Sequence, residues 1–340
     1  MHKYSVAVLG ASGYSGAELL RYLAGHPSLE LTWATADSNA GKPIRELFGH
    51  LGELGDVVLQ PTDIDAVPAV DLAFLALPHG SAATHGRALV ARGTKVVDLS
   101  ADWRLHDPAA YPEWYGTPHP HPDELGTWAY GLTELNRDEV RAATGVANPG
   151  CYPSAALLAL APLVADDVVS KDGIVIDAVS GISGAGRKVD AAYLYTELEG
   201  SFAAYRVGRH QHTPEIEQEL GGLTLTFTPH LAPMTRGLLA TCYARATASP
   251  DAVRESLERT YKGEPFVTVL PSGAQPQTKH VSGTNRALIA VQVDPRTSTA
   301  IVTCAIDNLG KGAAGQAVQN ANLMLGLEET AGLSGLGMFP

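Results

Sequence analysis

The sequence has few cysteines, no excess of basic residues and no long hydrophobic run, and each shortage narrows what the protein can be. Its three cysteines, Cys151, Cys242 and Cys304, are too few for a disulfide framework, which favours a reducing compartment. The formal net charge is −12, whereas a nucleic-acid partner requires a basic face. An acidic protein can still carry a locally positive pocket, so an anionic small substrate is compatible with this charge.

No hydrophobic run is long enough to cross a membrane. The most apolar stretch, residues 155–165, contains Pro162 and is shorter than the roughly 20 residues of a spanning helix. The chain opens with MHKYSVAVLG, which leads into a strand-like pattern and has no signal-peptide layout. We therefore expect a cytoplasmic protein with no membrane partner. With 340 residues, 45% of them hydrophobic, the chain is long enough for two packed domains.

Apolar runs alternate with helical patterns in the first half of the chain. These runs lie at 5–9, 29–36, 69–77, 95–100 and 145–147. Nearly continuous apolar strands separated by helices are typical of a parallel sheet covered on both faces. The pattern predicts an α/β, Rossmann-type doubly wound dinucleotide-binding domain over residues 1–150. Residues 107–123, rich in Pro, His, Tyr and Trp, are expected to form a long irregular loop.

Strand patterns outnumber helical ones in the second half. They lie at 173–180, 223–228, 238–246, 266–270, 287–293 and 299–306. Their grouping predicts an α+β catalytic domain with a mixed or antiparallel sheet over residues 151–310. A late helical pattern at 312–327 predicts that the segment 311–340 returns to complete the first domain.

Glycines follow the first strand where a dinucleotide fingerprint would place them. Gly10, Gly13 and Gly16 open a helix whose N–H groups and dipole can hold a pyrophosphate. Gly13 and Gly16 fit the last two positions of the fingerprint, while Ala11 occupies the first. Tight strand-to-helix turns also carry glycines for packing alone, but the position directly after a short strand favours a nicotinamide cofactor.

The end of the second apolar run bears on which nicotinamide cofactor binds. Asp37 could accept hydrogen bonds from a ribose 2′-hydroxyl, which would favour NAD. Ser38, Asn39 and Lys42 offer donors and a positive charge suited to the 2′-phosphate of NADP. Spacing alone leaves the choice open.

Cys151 stands in the tight turn NPGCYP, before an apolar helical pattern expected to begin near Ser154. A thiol there lies close to the N–H groups of a helix start, which favour the reactive thiolate. A buried cysteine in a turn is the ordinary alternative. Cys242 and Cys304 lie inside apolar strands and fit that alternative, whereas the position of Cys151 predicts a nucleophile.

Histidines that could serve this thiol lie in RHQHTPE. His210 or His212 could act as its acid–base partner near neutral pH. A zinc site would need a third ligand at recognisable spacing, which does not follow. The ordinary alternative is a surface loop before a helix, with Thr213 as N-cap and Pro214 as first residue. The His-Pro repeat at 119–122 is better explained as loop.

Basic residues beside glycine or serine form a further pattern. Arg104 lies in DLSADWR, Arg187 in SGISGAGRK and Arg236 in PHLAPMTRG. Each is individually typical of a turn or a surface charge. Together with the thiol and the glycine loop they indicate an anionic substrate, because arginines bind phosphate at two points.

These motifs together resemble a known family. The blocks GASGYSGAELL, DLSADWRL, NPGCYPSAALLAL, SGISGAGRK, HTPEIEQEL, FTPHLAPMTRGLL and DNLGKGAAGQAVQNAN run in order from residue 10 to residue 322. They resemble the N-acetyl-γ-glutamyl-phosphate reductases of arginine biosynthesis. Aspartate-semialdehyde and glyceraldehyde-phosphate dehydrogenases resemble the chain only in architecture and in the Cys/His pairing.

The resemblance implies NADPH-dependent reduction of N-acetyl-L-glutamyl 5-phosphate to the 5-semialdehyde, through a thioester on Cys151 with His210 as base. It implies cofactor contacts at Gly10, Ser12, Gly13, Tyr14, Ser15, Gly16, Ser38, Ser183, Gly184 and Asn308. It implies substrate contacts at Arg104, Asn148, Arg187, His212 and Arg236. NADP, no metal, and a homotetramer or homodimer are the remaining expectations.

The sequence departs from the family at two site positions, namely Gln211 and Asp37, which stands next to Ser38 and bears on the preference for NADP. Two alternative functions also stay open. The family usually has arginine where this chain has Gln211, which leaves Arg206 or Arg209 to supply that charge. A sister reductase of carrier-linked aminoadipyl or glutamyl phosphate is one alternative, although docking an acidic carrier favours a more basic surface. A redox sensor that switches at Cys151 is the other, and it needs neither phosphate loops nor a histidine partner.

Overall fold

The computed structural model describes residues 3–333 and 335–337 and divides into two compact units. Of the described residues, the first unit contains those up to 149 and those between 313 and 335, and the second contains 150–312 and 336–337. Of the predicted first domain, residues 1–2, residue 334 and residues 338–340 lie outside the described residues.

A six-stranded, all-parallel sheet forms the centre of the first unit. Its strands are β1 (Tyr4–Leu9), β2 (Leu29–Thr35), β3 (Leu72–Leu75), β4 (Lys95–Asp98), β5 (Ala129–Tyr130) and β6 (Gly145–Ala147). The order β2-β1-β3-β4-β6-β5 reverses direction beside β1. Ligands bind at such a switch point, outside the carboxyl ends of the strands, and the glycine-rich turn follows β1 there. The Rossmann-type prediction is confirmed.

Helices cover the sheet of the first unit. They are α1 (Tyr14–Ala24), α2 (Ala82–Ala91), α3 (Ala110–Tyr115), α4 (Thr133–Ala142) and α9 (Gly315–Met324). The prediction of an irregular excursion over 107–123 is wrong in part, because α3 forms inside it. The buried Tyr111 of α3 donates from its hydroxyl to the carbonyl of Asp102 at 2.5 Å, so tertiary contacts stabilise a helix too short to be stable alone.

The second unit contains a seven-stranded mixed sheet, as predicted. Its strands are β7 (Val175–Gly181), β8 (Ala203–Ala204), β9 (Thr226–Ala232), β10 (Leu238–Arg245), β11 (Val267–Val269), β12 (Ala287–Asp294) and β13 (Thr299–Ile306). The order is β11-β12-β13-β10-β7-β9-β8, in which the β7/β9 and β11/β12 pairs are parallel and the others antiparallel. Its helices are α5 (Cys151–Ala165), α6 (Tyr195–Leu198), α7 (Thr213–Glu219) and α8 (Pro250–Thr260).

Helix α5 begins three residues earlier than the sequence pattern predicts. Gly150 is its N-cap and Cys151 its first residue, whereas Ser154 was expected to begin it. Pro153 is tolerated because the N–H groups of a first helical turn have no partner within the helix. Similarly, the N-cap of α7 is His212 and not Thr213. No described helix has the length and apolarity needed to cross a membrane.

Candidate active site

One cavity of the second unit contains both predicted catalytic side chains. Cys151 and His210 line it together, and its volume is about 240 Å³. The other lining residues are Tyr152, Ser180, Gly184, Ala185, Lys188, Tyr193, Tyr205, Arg206, Gln211, His212 and Leu231. Among these described residues none is acidic, while Lys188 and Arg206 are basic. The cavity is therefore locally positive on an acidic protein.

The fold places the thiol of Cys151 at the positive end of a long helix. Half-buried Cys151 opens the fifteen-residue α5, and no side chain caps this helix. The helix dipole therefore favours negative charge at the sulfur. A Cβ built on Gly312 would lie 2.8 Å from the Cβ of Cys151, so a glycine there keeps space beside the nucleophile.

The buried Glu215 fixes the backbone just before the thiol. Its Oε1 accepts a hydrogen bond from the N–H of Gly150 at 2.8 Å, and the residue is fully buried at the start of α7. The segment that carries His210 is continuous with α7. Helix α7 thus positions both the N-cap of α5 and the histidine.

Hydrogen bonds define the tautomer of His210. The backbone N–H of His212 donates to Nδ1 of His210 at 3.1 Å, so the proton of the neutral ring lies on Nε2. Burial, together with the smaller effects of the nearby His212 and Arg206, lowers the pKa of His210 to about 2. The ring is therefore neutral near pH 7, with Nε2 as a donor.

Two tyrosines continue the chain of hydrogen bonds from His210. Nε2 of His210 lies 3.3 Å from the hydroxyl of Tyr205. The Tyr205 hydroxyl donates to that of Tyr152 at 3.3 Å, and Tyr152 donates to the carbonyl of His230 at 3.1 Å. Burial raises the pKa of both tyrosines. In this series of hydrogen bonds each group donates to the next, and the last acceptor is a backbone carbonyl, which can only accept. The direction is therefore fixed, with Nε2 of His210 as the first donor.

The basic residues around the cavity differ in how their charges are used. Lys188 forms an ion pair with Asp190 at 3.5 Å and lies 5.4 Å from the centre of the Tyr193 ring. Arg206 donates from Nη1 to Oε1 of Gln211. Arg187, predicted to bind substrate, is exposed and does not line the cavity.

Predicted contact residues on neighbouring loops of the second unit are tied to one another. Asn308 accepts from the N–H of Gly237 and donates to the hydroxyl of Ser183, both at 2.9 Å. Arg236 donates to the buried Asp307 at 3.2 Å. Asn308 is 2% exposed, so its amide holds these loops in place.

Of the three glycines in the predicted cofactor loop, two are required by the packing of the first unit. Gly10 has φ +87° and a Cβ there would lie 2.4 Å from the carbonyl oxygen of Ala76, while one on Gly16 would lie 2.5 Å from the oxygen of Gly10. At Gly13, the N-cap of α1, the nearest atom to a Cβ is 3.9 Å away. Open space at an uncapped helix start fits a pyrophosphate that approaches the backbone closely.

The other predicted loop residues lie in the same region of the first unit. Ser12 precedes α1, Tyr14 and Ser15 form its first turn, and Ser38 is exposed in the turn after β2. The neighbouring Asp37 uses its carboxylate to accept the N–H of Thr62 at 2.7 Å.

Arg104 and Asn148 are committed to hydrogen bonds within the first unit. Arg104 is buried and donates to the carbonyls of Asn148 and Leu99, both at 2.8 Å. The side chain of Asn148 donates to the carbonyl of Ala313 at 3.1 Å. These bonds shape the segment that leads to the catalytic turn. Burial raises the pKa of nearby Asp98 to about 7.

Several side chains of the site were not singled out from the sequence. They are Tyr152, Lys188, Tyr205, Glu215 and Asp307. The blocks that carry the family resemblance contain four of them, so the resemblance could have indicated these positions: Tyr152, Lys188, Glu215 and Asp307. Tyr205 lies outside every block, and only the folded loop brings it to His210.

Comparison with known proteins identifies the family of the chain, some of its relatives and a solved structure with the same fold. Family models match twice: the semialdehyde dehydrogenase NAD-binding domain at residues 5–143 and the semialdehyde dehydrogenase dimerisation domain at residues 151–308. N-acetyl-γ-glutamyl-phosphate reductase of Pelotomaculum thermopropionicum is 47% identical, with 98% of this chain and 99% of the relative aligned. The enzyme of that name from Acidothermus cellulolyticus is 50% identical over the same shares. Aspartate semialdehyde dehydrogenase II of Vibrio cholerae has the same fold, with TM-score 0.71, 17% identity and coverage of 96% and 99%.

Proposed function

Since this chain belongs to the N-acetyl-γ-glutamyl-phosphate reductases of the semialdehyde dehydrogenase family, we propose that it reduces N-acetyl-L-glutamyl 5-phosphate to N-acetyl-L-glutamate 5-semialdehyde. Phosphate is released, and the reaction serves arginine biosynthesis. The observation that carries the proposal is the position of Cys151, at the first residue of α5 and in one cavity with His210.

Cys151 supplies the nucleophile. Its sulfur, as a thiolate stabilised by the start of α5, forms a bond to the acyl carbon while the bond from that carbon to the phosphate oxygen breaks. Phosphate leaves with the electron pair, and a thioester remains. After reduction the C–S bond breaks, the carbonyl of the semialdehyde forms and the thiolate is regenerated.

His210 acts through its Nε2 proton. The resemblance implies a base, but its Nδ1 accepts the N–H of His212 and its pKa is lowered to about 2. In the reaction, the neutral ring shifts its Nε2 hydrogen bond from the Tyr205 hydroxyl to the negative charge on the thiolate or on the acyl oxygen, and so stabilises that charge. Backbone N–H groups at the start of α5 support the same oxyanion.

NADP is the proposed cofactor, as the family resemblance implies. The uncapped start of α1 and the open space at Gly13 would hold its pyrophosphate. Ser38 lies exposed after β2 and suits a 2′-phosphate, while the Asp37 carboxylate already accepts the N–H of Thr62. When bound, the reduced nicotinamide supplies the hydride that takes the thioester to the aldehyde level.

Compartment and assembly complete the proposal. All three cysteines are free thiols, which suits a reducing cytoplasm. The second unit matches a family model described as a dimerisation domain, which supports a homodimer or homotetramer.

Replacing the nucleophile tests the function. N-acetylglutamate semialdehyde, NADP⁺ and inorganic phosphate are mixed with the enzyme, and NADPH formation is followed by absorbance. We expect phosphate-dependent NADPH formation, slower with NAD⁺, which is lost in Cys151→Ser because a hydroxyl is a far weaker nucleophile.

The control is Cys242→Ala, which removes a thiol buried in β10 that does not line the cavity. We expect it to retain turnover. Full turnover in Cys151→Ser would exclude the thioester. Turnover without phosphate would show that the acyl group is not transferred to phosphate.

A further inference from the structure

Arg206 brings a positive charge into the cavity of Cys151 that no carboxylate neutralises. Arg206 lines this cavity with Tyr205 and His210. Within the part of the chain that the structure describes, no ion pair involves Arg206, and its Nη1 donates instead to Oε1 of Gln211. The amide is neutral, so the bond orients the guanidinium and leaves its charge intact.

Neighbouring cations are less suited to bind an anion there. Lys188 lines the same cavity but shares its charge with Asp190 and lies over the ring of Tyr193. Arg206 and Arg209 are both exposed, but Arg209 does not line the cavity. Of these three basic residues, Arg206 therefore offers the most available charge.

The backbone at Arg206 adds an independent observation. Its φ is +46°. Among the described non-glycine residues, only Arg206, Asp167 and Ser298 have a positive φ. A residue with a Cβ rarely adopts this left-handed conformation, because the Cβ comes too close to the following carbonyl oxygen. Such outliers cluster at functional sites, where the surrounding structure holds them, and here the turn directs Arg206 toward Gln211.

The charge of Arg206 acts at the reacting end of the cavity. It lowers the pKa of the His210 ring. It also lowers the pKa of the Tyr205 hydroxyl, which the nearby Cys151 raises. The thiol and the guanidinium thus act on one and the same side chain.

We propose that Arg206, oriented by Gln211, binds the phosphoryl group of the substrate. This assignment rests on the proposed function, in which the phosphoryl group is attached to the carbon that Cys151 attacks. That group must lie beside the thiol, whereas the carboxylate of the substrate is several bonds away. A guanidinium also matches phosphate oxygens with two parallel N–H donors.

The first test separates the two anionic groups by steady-state kinetics in the direction of semialdehyde oxidation. In Arg206→Ala the KM for inorganic phosphate should rise roughly 10–100-fold, the loss expected for a charge-assisted hydrogen bond. The KM for the semialdehyde should change little. A rise confined to the semialdehyde KM would assign Arg206 to the carboxylate and overturn the proposal, as would no change in either.

Gln211 offers a rescue because it contacts Arg206 and lines the same cavity. The double variant Arg206→Ala/Gln211→Arg should recover most of the lost phosphate affinity, since a guanidinium returns to the same region. Arg209→Ala is the matched comparison. A phosphate effect at Arg209 with none at Arg206 would overturn the assignment, and so would a double variant no better than Arg206→Ala.

A second readout does not depend on turnover. Phosphate bound beside the thiol should slow the alkylation of Cys151 by iodoacetamide, measured by mass spectrometry of the Cys151 peptide. We expect protection by millimolar phosphate in the parent and in Arg209→Ala, and its loss in Arg206→Ala. Protection without turnover would locate the failure in the proposed function, and equal protection in all three proteins would overturn the role of Arg206.

Discussion

At the scale of single residues, the chemistry of the cavity depends on which nitrogen of His210 carries the proton. The answer comes from a backbone group two residues away, the N–H of His212, which donates to Nδ1. The Tyr205 hydroxyl then accepts a hydrogen bond from Nε2 and donates one to the Tyr152 hydroxyl. Burial keeps the ring neutral and the bond to Nδ1 keeps the proton on Nε2, so Nε2 is a constant donor over the working pH range.

We predict that His210 does not titrate between pH 8 and pH 5. Its pKa is lowered to about 2 in the folded protein, against about 6.5 in an unfolded chain. Unfolded chains therefore bind the extra proton, and the stability from burying a neutral ring is present above about pH 6.5 and lost as the pH falls toward 2. Long-range ¹H–¹⁵N spectra should show Nε2 protonated and Nδ1 bare throughout.

His210→Gln provides the assignment of the ring signals, and it should lower kcat by roughly 10²–10³, as expected for the loss of one donor to developing negative charge, with NADPH affinity unchanged. A His210 signal that titrates near pH 6.5, or a proton found on Nδ1, would contradict the donor role. An acid limb of kcat near that pH that vanishes in the variant would do the same.

Cys151 and His210 can be predicted from the sequence, whereas the contacts that set the tautomer of His210 and the orientation of Arg206 cannot. A thiol in a Pro-Gly turn before an apolar helix is a local pattern, so Cys151 can be recognised from its neighbours. The tautomer of His210, the tyrosine chain and the bond between Arg206 and Gln211 depend on how the loop before α7 folds. That folding is not expressed in any spacing.

At the scale of elements, the turn between β1 and α1 shows how packing and ligand binding divide one motif. A Cβ on Gly10 or Gly16 would collide with backbone atoms, whereas there is room for a Cβ on Gly13. The sequence places the three glycines correctly but cannot tell which serves packing. The difference arises from contacts with the loop after β3 and with the start of α1, which exist only in the fold.

We predict that Gly13→Ala folds normally and binds NADPH weakly. The backbone of Gly13, φ −76° and ψ 170°, suits any residue, and the nearest atom to the new methyl group is 3.9 Å away. The methyl would occupy space needed by the pyrophosphate, so affinity should fall by roughly 10–100-fold, equivalent to about 1–3 kcal/mol of overpacking. Fluorescence titration with NADPH measures it.

Gly16→Ala is the opposite control, because its methyl would lie 2.5 Å from the carbonyl oxygen of Gly10. Its thermal midpoint should fall, by roughly 2–4 °C for each kcal/mol of strain, while Gly13→Ala keeps the midpoint of the parent. Equal NADPH affinity in Gly13→Ala and the parent would remove the glycine loop from the cofactor site.

Helix α5 shows a boundary that the sequence places wrongly. Two prolines, Pro153 and Pro162, lie within Cys151–Ala165, and a proline-based boundary therefore favours a start at Ser154. The N–H of Gly150 is held by Glu215, which fixes the N-cap from outside the helix. The shift matters chemically, since it moves Cys151 from the preceding turn to the first residue of the helix.

At the scale of the whole molecule, the end of the chain returns to complete the first unit. Every residue of α9 is buried, including polar ones. Nδ2 of Asn320 donates to the carbonyl of Gly131 at 2.8 Å, and its Oδ1 accepts from Thr133 at 2.7 Å. Without α9 these groups would be left unpaired in the interior, at about 1–3 kcal/mol each.

This return predicts that the first unit can be separated as a single chain, but only with its C-terminal segment. The amide of Asn148 donates to the carbonyl of Ala313 at 3.1 Å, so the two ends left by removing residues 150–312 are close together. A glycine-serine linker of about four residues should join them.

The fused chain should unfold cooperatively on heating and bind NADPH, whereas residues 1–149 alone should do neither, because the partners of Gly131 and Thr133 are missing. Circular dichroism and NADPH fluorescence check both properties, with Gly13→Ala in the fused chain as the binding control. If residues 1–149 alone unfolded at the temperature of the fused chain, the buried amides of α9 would not be needed for that fold.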